Sequence, residues 1–295
     1  MNAALATPAA LLARADAALD DVVGRRGDVR AIALMRVLFG AIVIRHLWPD
    51  VRASVLPVER FHVPWWSWLP VPSPAVYRGL LWLGVAAGVG MILGLAARVA
   101  TVTAFAVVGY LLFVDMTGFA HNRGFLVWIL FGLSLVPTGG AFTVMNLTRR
   151  SGGGVPRTGI VQAVWPVLLL QVVVSSVYLT SGLTKLANPD WRSGLVLWDR
   201  VVRQRHLIPF EGWIDDVLVS RAFHRVLSPS AIAAEVFIGL GLWFRRTRPA
   251  AVVVAVVFHL SIEVTASVQT FSYSAIAALL IWTVPTTRRA SGTGR

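Results

Sequence analysis

The stretch from Val161 to Trp191, VQAVWPVLLLQVVVSSVYLTSGLTKLANPDW, decides the fold because residues 161–184 form a long, strongly apolar run. A helix of about 20 apolar residues crosses the hydrocarbon core of a bilayer. The run ends at Lys185, the only lysine in the chain, since arginine supplies the other 26 of its 27 basic residues. Such uniform use of arginine elsewhere indicates a requirement for an amine at this position.

Two interpretations of Lys185 stay open at this point. Arginine is effectively always charged, whereas a desolvated lysine can lose its proton near neutral pH and act as a base. The alternative is an ordinary lysine, whose ammonium reaches the membrane interface while its methylene stem stays in the apolar region.

Composition places the whole chain in a membrane. Of the 295 residues, 56% are hydrophobic and 14% are charged, and the mean hydropathy is +0.70, which is too apolar for a soluble fold of this size. The net charge of +13 comes from arginines scattered between apolar segments. This pattern indicates contacts with anionic membrane lipid and argues against a nucleic-acid partner. With no cysteine, the chain has neither disulfides nor thiolate metal sites.

Hydropathy predicts an all-α fold, a polytopic helical bundle with about eight transmembrane helices. We expect residues 1–29 to form a cytoplasmic amphipathic segment, residues 30–287 the transmembrane domain, and residues 288–295 a cytoplasmic tail. The glycines at 152–154 indicate a flexible linker between two halves of the bundle. The predicted spans are residues 31–48, 79–96, 99–116, 124–137, 161–184, 230–244, 249–266 and 270–285.

The distribution of arginine predicts that both termini face the cytoplasm. With the N-terminus inside, the arginine groups within residues 149–157, 245–248 and 288–289 all lie on the cytoplasmic side, as the positive-inside rule requires. The long loop 185–229 then falls outside, and the mixed polarity of residues 207–219 predicts a helix on the membrane surface. The expected localisation is the inner (plasma) membrane, with several membrane passes.

This orientation brings most of the rare polar residues of the spans to the outer side, counted at about 1.5 Å of helix per residue. Polar side chains are costly in lipid, so we expect them to face the bundle interior and to pair. One face of the fifth predicted helix is polar and small, which suits a cavity lining, although helix packing also uses such residues. That face carries Gln171, Ser175, Tyr178, Gly182 and Lys185.

A metal site is not predicted. His259 and Glu263 are four residues apart and therefore neighbours on a helix, but HLSIE matches neither the zinc motif HExxH nor the Glu-x-x-His motif of di-iron bundles. We expect instead a structural hydrogen bond between the two side chains.

An ordered set of short motifs carries a resemblance to a known family. The motifs are Leu34-Met-Arg36-Val-Leu-Phe-Gly40, Gly94-Leu-Ala-Ala-Arg98, Asp115-Met-Thr with His121-Asn122, Tyr178 to Lys185 with Asp190-Trp191, Glu235, Phe258-His259, and Phe271-Ser-Tyr273. Together they resemble the horizontally transferred transmembrane (HTTM) domain family, the membrane part of vitamin K-dependent gamma-carboxylases. The resemblance covers most of residues 31–285.

The resemblance implies a chemistry and a set of roles. Lys185 would be the base that deprotonates reduced vitamin K or menaquinone, with O2 and CO2 as co-substrates and a peptide or protein as the carboxylated partner. His121 and Asn122 would assist catalysis, although the family's histidine follows the asparagine, whereas here His121 comes first. The residues expected to bind the cofactor are Tyr178, Glu235, His259, Arg45 and Tyr273.

Three functions compete at this stage. The first is an enzyme, a quinol-dependent oxygenase or carboxylase-like protein built around Lys185. The second is a non-catalytic membrane module that serves in peptide-toxin maturation, export or immunity. A small-molecule transporter ranks last, because the sequence shows no inverted halves.

Overall fold

The computed structural model describes residues 8–53, 65–116, 119–145, 161–207, 209, 211–265, 268, 270–284 and 286–287. The predicted linker at residues 152–154 and the predicted tail 288–295 lie outside these residues. The described chain contains twelve α-helices, which are α1 (Pro8–Gly24), α2 (Arg30–Arg52), α3 (Pro74–Leu93), α4 (Ala97–Val114), α5 (His121–Leu135), α6 (Trp165–Ala187), α7 (Pro189–Arg192), α8 (Leu195–Arg203), α9 (Trp213–Val219), α10 (Arg221–Gly241), α11 (Arg248–Thr265) and α12 (Phe271–Ala278).

Eight of these helices form a closed ring. Each packs against the next in the order α2, α3, α4, α5, α6, α10, α11 and α12, and α12 packs back against α2. The helical bundle is therefore confirmed. Within the described residues, α2, α3, α4, α6 and α11 are long and apolar enough to cross a membrane, so this is a multi-pass membrane protein. The count of eight spans and the orientation of the termini stay predictions.

Several predicted boundaries were wrong. The helix expected at 230 begins at Arg221, where the Ser220 hydroxyl caps it by accepting a hydrogen bond from Phe223 N at 3.5 Å. Its first turns are polar, so the hydropathy pattern did not include them. The helix expected at 161 begins at Trp165, because residues 161–163 form a strand. In the described part of the surface helix predicted at 207–219, the α-helix is Trp213–Val219, and it begins after Gly212, whose φ is 67°.

A small antiparallel sheet, which hydropathy did not predict, joins three distant parts of the chain. Its central strand β1 (Arg26–Asp28) lies between β2 (Val161–Ala163) and β3 (Thr286–Thr287), with Arg26 opposite both Ala163 and Thr287. The sheet places the starts of α2 and α6 and the segment after α12 at one end of the bundle. We call this the sheet end and the opposite end, where α6 finishes, the lysine end.

The N-terminal helix α1 precedes this sheet. Its side chains Leu19 and Val23 are 61% and 50% exposed, so this part of the predicted apolar side is free to meet a membrane surface. The helix lies within residues 1–29, and the assignment of that segment as cytoplasmic and amphipathic stays a prediction.

Arg36 organises the interior near the sheet end. Its side chain is fully buried and donates hydrogen bonds to the carbonyl oxygens of Met91, Ala141 (3.1 Å) and Phe142 (2.8 Å). These carbonyls lie in the last turn of α3 and after α5, where a cation complements the negative end of a helix. A Cβ on Gly94, which has a φ of 69°, would sit 3.0 Å from the guanidinium. The motif around Arg36 and the motif around Gly94 therefore meet in the same structural contact.

Candidate functional site

Lys185 lies in the last turn of α6 and pairs with a carboxylate on α10. Its Nζ is 2.6 Å from Glu235 Oε1 and donates to Ser181 Oγ at 3.0 Å. The Ser181 hydroxyl in turn donates to Glu235 Oε1 at 2.9 Å. The Lys185 and Glu235 side chains are 20% and 6% exposed, so the three groups form a nearly closed polar triangle.

Two glycines bring α6 and α10 close enough for this contact. A Cβ on Gly182 would sit 2.9 Å from Val236 Cγ2 and 3.3 Å from Glu235 Cβ. A Cβ on Gly239 would sit 2.6 Å from Leu179 Cγ. Small residues let helix backbones approach, and here that approach sets the reach between Lys185 and Glu235.

Trp191 covers the same ammonium group. Lys185 Nζ lies 4.9 Å from the centroid of the Trp191 ring, a cation–π contact. The side chain of Asn188 caps α7 by accepting from Asp190 N at 2.8 Å and from Trp191 N at 3.3 Å. Ser228 of α10 donates to the Trp191 carbonyl at 2.6 Å. The Asn-Pro-Asp-Trp motif therefore positions an aromatic ring over the lysine.

The surrounding helices α7, α8 and α9 pack together beside α10 at the lysine end. Trp198 of α8 donates to the Val219 carbonyl at 2.7 Å, and Arg205 forms an ion pair with Asp215. The hydrogen bond with the Asp215 carboxylate raises the pKa of the Arg205 guanidinium. The described part of the loop predicted at 185–229 therefore contains three short helices, α7, α8 and α9.

Three groups surround the Lys185 amine, which are the Glu235 carboxylate, the Ser181 hydroxyl and the face of Trp191. A general base needs a neutral amine. The Glu235 carboxylate, 2.6 Å away, is the neighbouring group that can share the lysine proton.

A second buried pair lies on the same face of α6. The Tyr178 hydroxyl is 2.7 Å from His259 Nε2 of α11, and both side chains are buried. The predicted hydrogen bond between His259 and Glu263 was wrong, because His259 Nδ1 has no hydrogen-bond partner among the described residues and Nε2 faces Tyr178. Glu263 instead interacts with the hydroxyl of Tyr273.

The two pairs form one polar layer between α6, α10 and α11. Tyr178 and Lys185 are seven residues apart, about 10 Å along the helix axis. Glu235 acts electrostatically on Tyr178, and Lys185 acts on His259. Glu235 Oε2 is buried, and like His259 Nδ1 it makes no hydrogen bond within the described part of the chain. Buried polar atoms of this kind fit a ligand that carries hydroxyl groups.

The remaining residues of the α6 face make packing contacts. Gln171 donates to the Ile281 carbonyl at 3.1 Å, and Ser175 donates to the Gly239 carbonyl at 3.0 Å while accepting from Trp243 Nε1 at 2.6 Å. For this half of the face, the helix-packing alternative describes the contacts better than a cavity lining.

The other predicted site residues lie elsewhere at the lysine end. Arg45 of α2 stacks on Tyr273 of α12, with its Cζ 4.8 Å from the ring centroid. Asn122 donates to the Val268 carbonyl at 3.3 Å, and the exposed His121 ring meets the Phe119 ring edge at 5.8 Å. The structure therefore brings Lys185, Glu235, Tyr178 and His259 together, and places Arg45, Tyr273, His121 and Asn122 on other contacts. Their proposed roles stay predictions.

Ser181 is the residue that sequence reasoning missed. It lies one turn before Lys185 and bonds both members of the ion pair. Its spacing of four residues from the lysine was a usable signal, but the neighbouring Gly182 fitted the polar periodicity better. Among the described residues, no group of three or more histidine and acidic side chains is arranged to hold a metal ion.

A family model for the HTTM domain matches residues 25–286, nearly the whole chain. The chain belongs to the HTTM domain family. No curated protein and no solved structure gives a significant match. The HTTM match begins just before β1 and ends within β3, so the HTTM unit comprises the sheet and the ring of eight helices, while α1 precedes it. The family resemblance of the motifs is thereby confirmed.

Proposed function

We propose that this HTTM protein is a quinol-dependent membrane enzyme, similar to the vitamin K-dependent gamma-carboxylases, in which Lys185 accepts a proton. The observation that carries the proposal is the largely buried Lys185–Glu235 pair, in a family whose domain is found in vitamin K-dependent carboxylase. A lysine that is held beside a proton acceptor in a low-dielectric site has the arrangement that a general base needs.

Glu235 is the group beside Lys185 that can share its proton, since the two side chains are 2.6 Å apart. In the proposed enzyme this proton would pass from Lys185 to Glu235, which would leave an amine beside a carboxylic acid. Ser181 holds both groups in register during this exchange, since it contacts each of them. In the neutral state, Lys185 can take a proton from a hydroxyl that lies within hydrogen-bonding reach.

The polar layer offers contacts for reduced vitamin K or menaquinone. Glu235 Oε2 and His259 Nδ1 are the buried atoms that would bond its hydroxyl groups, and the rings of Phe258 and Phe271 beside His259 would pack against an aromatic ligand. When bound, the quinol would supply the electrons that reduce O2, the oxygenated product would remove a proton from the γ-carbon of a peptide or protein glutamate, and CO2 would form a bond to that carbon. Tyr178 keeps His259 oriented through the bond to Nε2.

The test is epoxide formation measured by mass spectrometry. The purified protein in lipid discs would receive reduced menaquinone or phylloquinone, O2 and bicarbonate. We expect epoxide from the wild type, and at least about a hundredfold loss in Lys185→Ala and Lys185→Arg, the scale of a lost general base. Arg200→Ala is the matched control, because Arg200 is an exposed cation on the nearby α8. Full activity in Lys185→Arg would contradict the proposal.

A non-catalytic module in peptide-toxin maturation, export or immunity is the second candidate. It is favoured by the packing contacts of Gln171 and Ser175, and by an ion pair that also holds α6 against α10. In that case the wild type forms no epoxide and binds no quinone, and Lys185→Arg leaves both stability and cellular function unchanged, since arginine can make the same ion pair.

A further inference from the structure

A groove opens between α2 and α12, away from the Lys185 site. Its volume is about 490 Å³. Apolar side chains of both helices line it, among them Leu34, Leu38 and Ala277, together with Leu280 just after α12. Its two polar lining residues are Arg45 and Tyr273. The lining contains no residue of α6, α10 or α11, so the groove does not include Lys185, Glu235, Tyr178 or His259.

The groove has the length of one membrane leaflet. Leu34 and Arg45 are eleven residues apart on α2, which is about 16 Å along the axis. Half of the hydrocarbon core of a bilayer is about 15 Å thick. Leu34 and Leu38 are 38% and 40% exposed, so the groove is open along its side to whatever surrounds the bundle. A single extended acyl chain matches this length and this lining.

The groove ends in a cation. Arg45 Cζ lies 4.8 Å from the centroid of the Tyr273 ring, and Arg45 forms no ion pair with any carboxylate in the described part of the chain. Its guanidinium donors are therefore available to an anionic group, with the fork geometry that suits a phosphate. The Tyr273 ring, 41% exposed, fixes the guanidinium at this position.

We propose that the α2/α12 groove binds an anionic phospholipid, with one acyl chain along the groove and the phosphate on Arg45. An apolar channel of leaflet length that ends in a free cation is complementary to such a lipid. A neutral quinone would use the apolar channel but would leave the Arg45 charge without a partner. The proposal is independent of catalysis at Lys185.

The Glu263 carboxylate repels the proposed headgroup. Its removal should therefore change lipid affinity in the direction opposite to the removal of Arg45. Its carboxylate interacts with the Tyr273 hydroxyl, on the ring that Arg45 covers. A carboxylate near the phosphate repels it. Glu263→Gln removes this repulsion and keeps a hydrogen-bonding side chain, so it strengthens the binding of an anionic lipid.

Native mass spectrometry of the delipidated full chain in detergent tests the headgroup. The protein would be titrated with dioleoyl phosphatidylglycerol and, separately, with dioleoyl phosphatidylcholine. We expect the wild type to bind phosphatidylglycerol more tightly, Arg45→Gln to lose about fivefold in that affinity, and Glu263→Gln to gain. Arg78→Gln is the control, because Arg78 is an exposed cation on α3 at the same end of the bundle.

A second pair of variants tests the acyl chain. Ala41→Trp and Leu34→Trp each fill the groove from exposed positions on α2, where a larger side chain displaces no core residue, and a thermal unfolding scan of each variant checks that it folds. Both are expected to weaken the two lipids alike. Equal phosphatidylglycerol affinities for Arg45→Gln and Arg78→Gln would overturn the proposal, as would unchanged lipid binding in both tryptophan variants. Displacement of the lipid by neutral menaquinone, unaffected by Arg45→Gln, would assign the groove to a neutral amphiphile instead.

Discussion

At the scale of single residues, Lys185 and Glu235 are paired at 2.6 Å in a site that largely excludes solvent. Both are largely buried and share Ser181 as a third partner. Such a pair contributes little net stability when compared with apolar residues, but the loss of one member leaves an uncompensated charge. The burial on which the proposed proton-accepting role depends thus also makes the pair fragile to single substitutions.

This fragility gives a stability prediction. Glu235→Leu leaves the Lys185 ammonium unpaired, and we expect the free energy of unfolding to fall by up to about 3 kcal/mol. Lys185→Met combined with Glu235→Leu is expected to recover most of the loss, because neither charge remains. Thermal unfolding followed by tryptophan fluorescence in lipid discs measures both. A double variant as unstable as the single one would show that the pair is not the source of the effect.

Arg36 gives a second residue-scale prediction. Its planar guanidinium reaches carbonyls from two segments, at Met91 and at Ala141 and Phe142, which a lysine ammonium cannot match in geometry. We expect Arg36→Lys to lower the free energy of unfolding by about 1–3 kcal/mol, since buried carbonyls lose their donors. Arg98→Lys, at an exposed position on α4, should change it by less than about 0.5 kcal/mol. The same unfolding assay compares them, and equal effects would refute the assigned role.

At the scale of helices, the approach of α6 to α10 depends on glycines that no hydropathy pattern distinguishes. Gly182 and Gly239 each lie where a Cβ would collide with the opposite helix, at 2.9 Å and 2.6 Å. These glycines therefore belong to apolar spans and also form a close contact between two helices. The close contact sets the distance between Lys185 and Glu235.

Alanine substitutions separate these two effects. We expect Gly239→Ala to destabilise the bundle by about 1–3 kcal/mol, the usual cost of overpacking, and to reduce activity by moving Glu235. Gly79→Ala on α3 is the control, because nothing lies within 4 Å of its added Cβ; it should be neutral or slightly stabilising. Unfolding midpoints of the two variants give the comparison, and a stable Gly239→Ala protein would contradict the close-contact role.

At the scale of the whole molecule, the sheet and the alternation of helices define two chemically different ends. Thr286 pairs with Gly27 at the sheet end, whereas Lys185, Asn122 and Tyr273 lie at the other. If the termini face the cytoplasm, the lysine end of the bundle faces the outside. Access to substrate thus depends on orientation, which the positive-inside rule predicts and the fold leaves open.

Cysteine labelling in intact cells tests this orientation, and the natural chain has no cysteine to interfere. We expect Arg200→Cys, on α8 at the lysine end, to react with a membrane-impermeant maleimide. Arg246→Cys, in the turn between α10 and α11 at the sheet end, should react only after the cells are lysed. Both positions are exposed. The opposite labelling pattern would place the candidate site in the cytoplasm.

The sequence by itself determined that this is a membrane protein, which segments form the helices of the ring, that lysine occurs only at position 185, and the family. These follow from local composition and ordered motifs, because a bilayer imposes length and apolarity on each span separately. Only the tertiary structure decided which polar residues meet: Glu235 and Ser181 at Lys185, Tyr178 at His259, and Arg45 with Tyr273 on a different groove. The reason is physical, since such contacts depend on the rotation and spacing of neighbouring helices, which side-chain packing between elements sets and no single segment encodes.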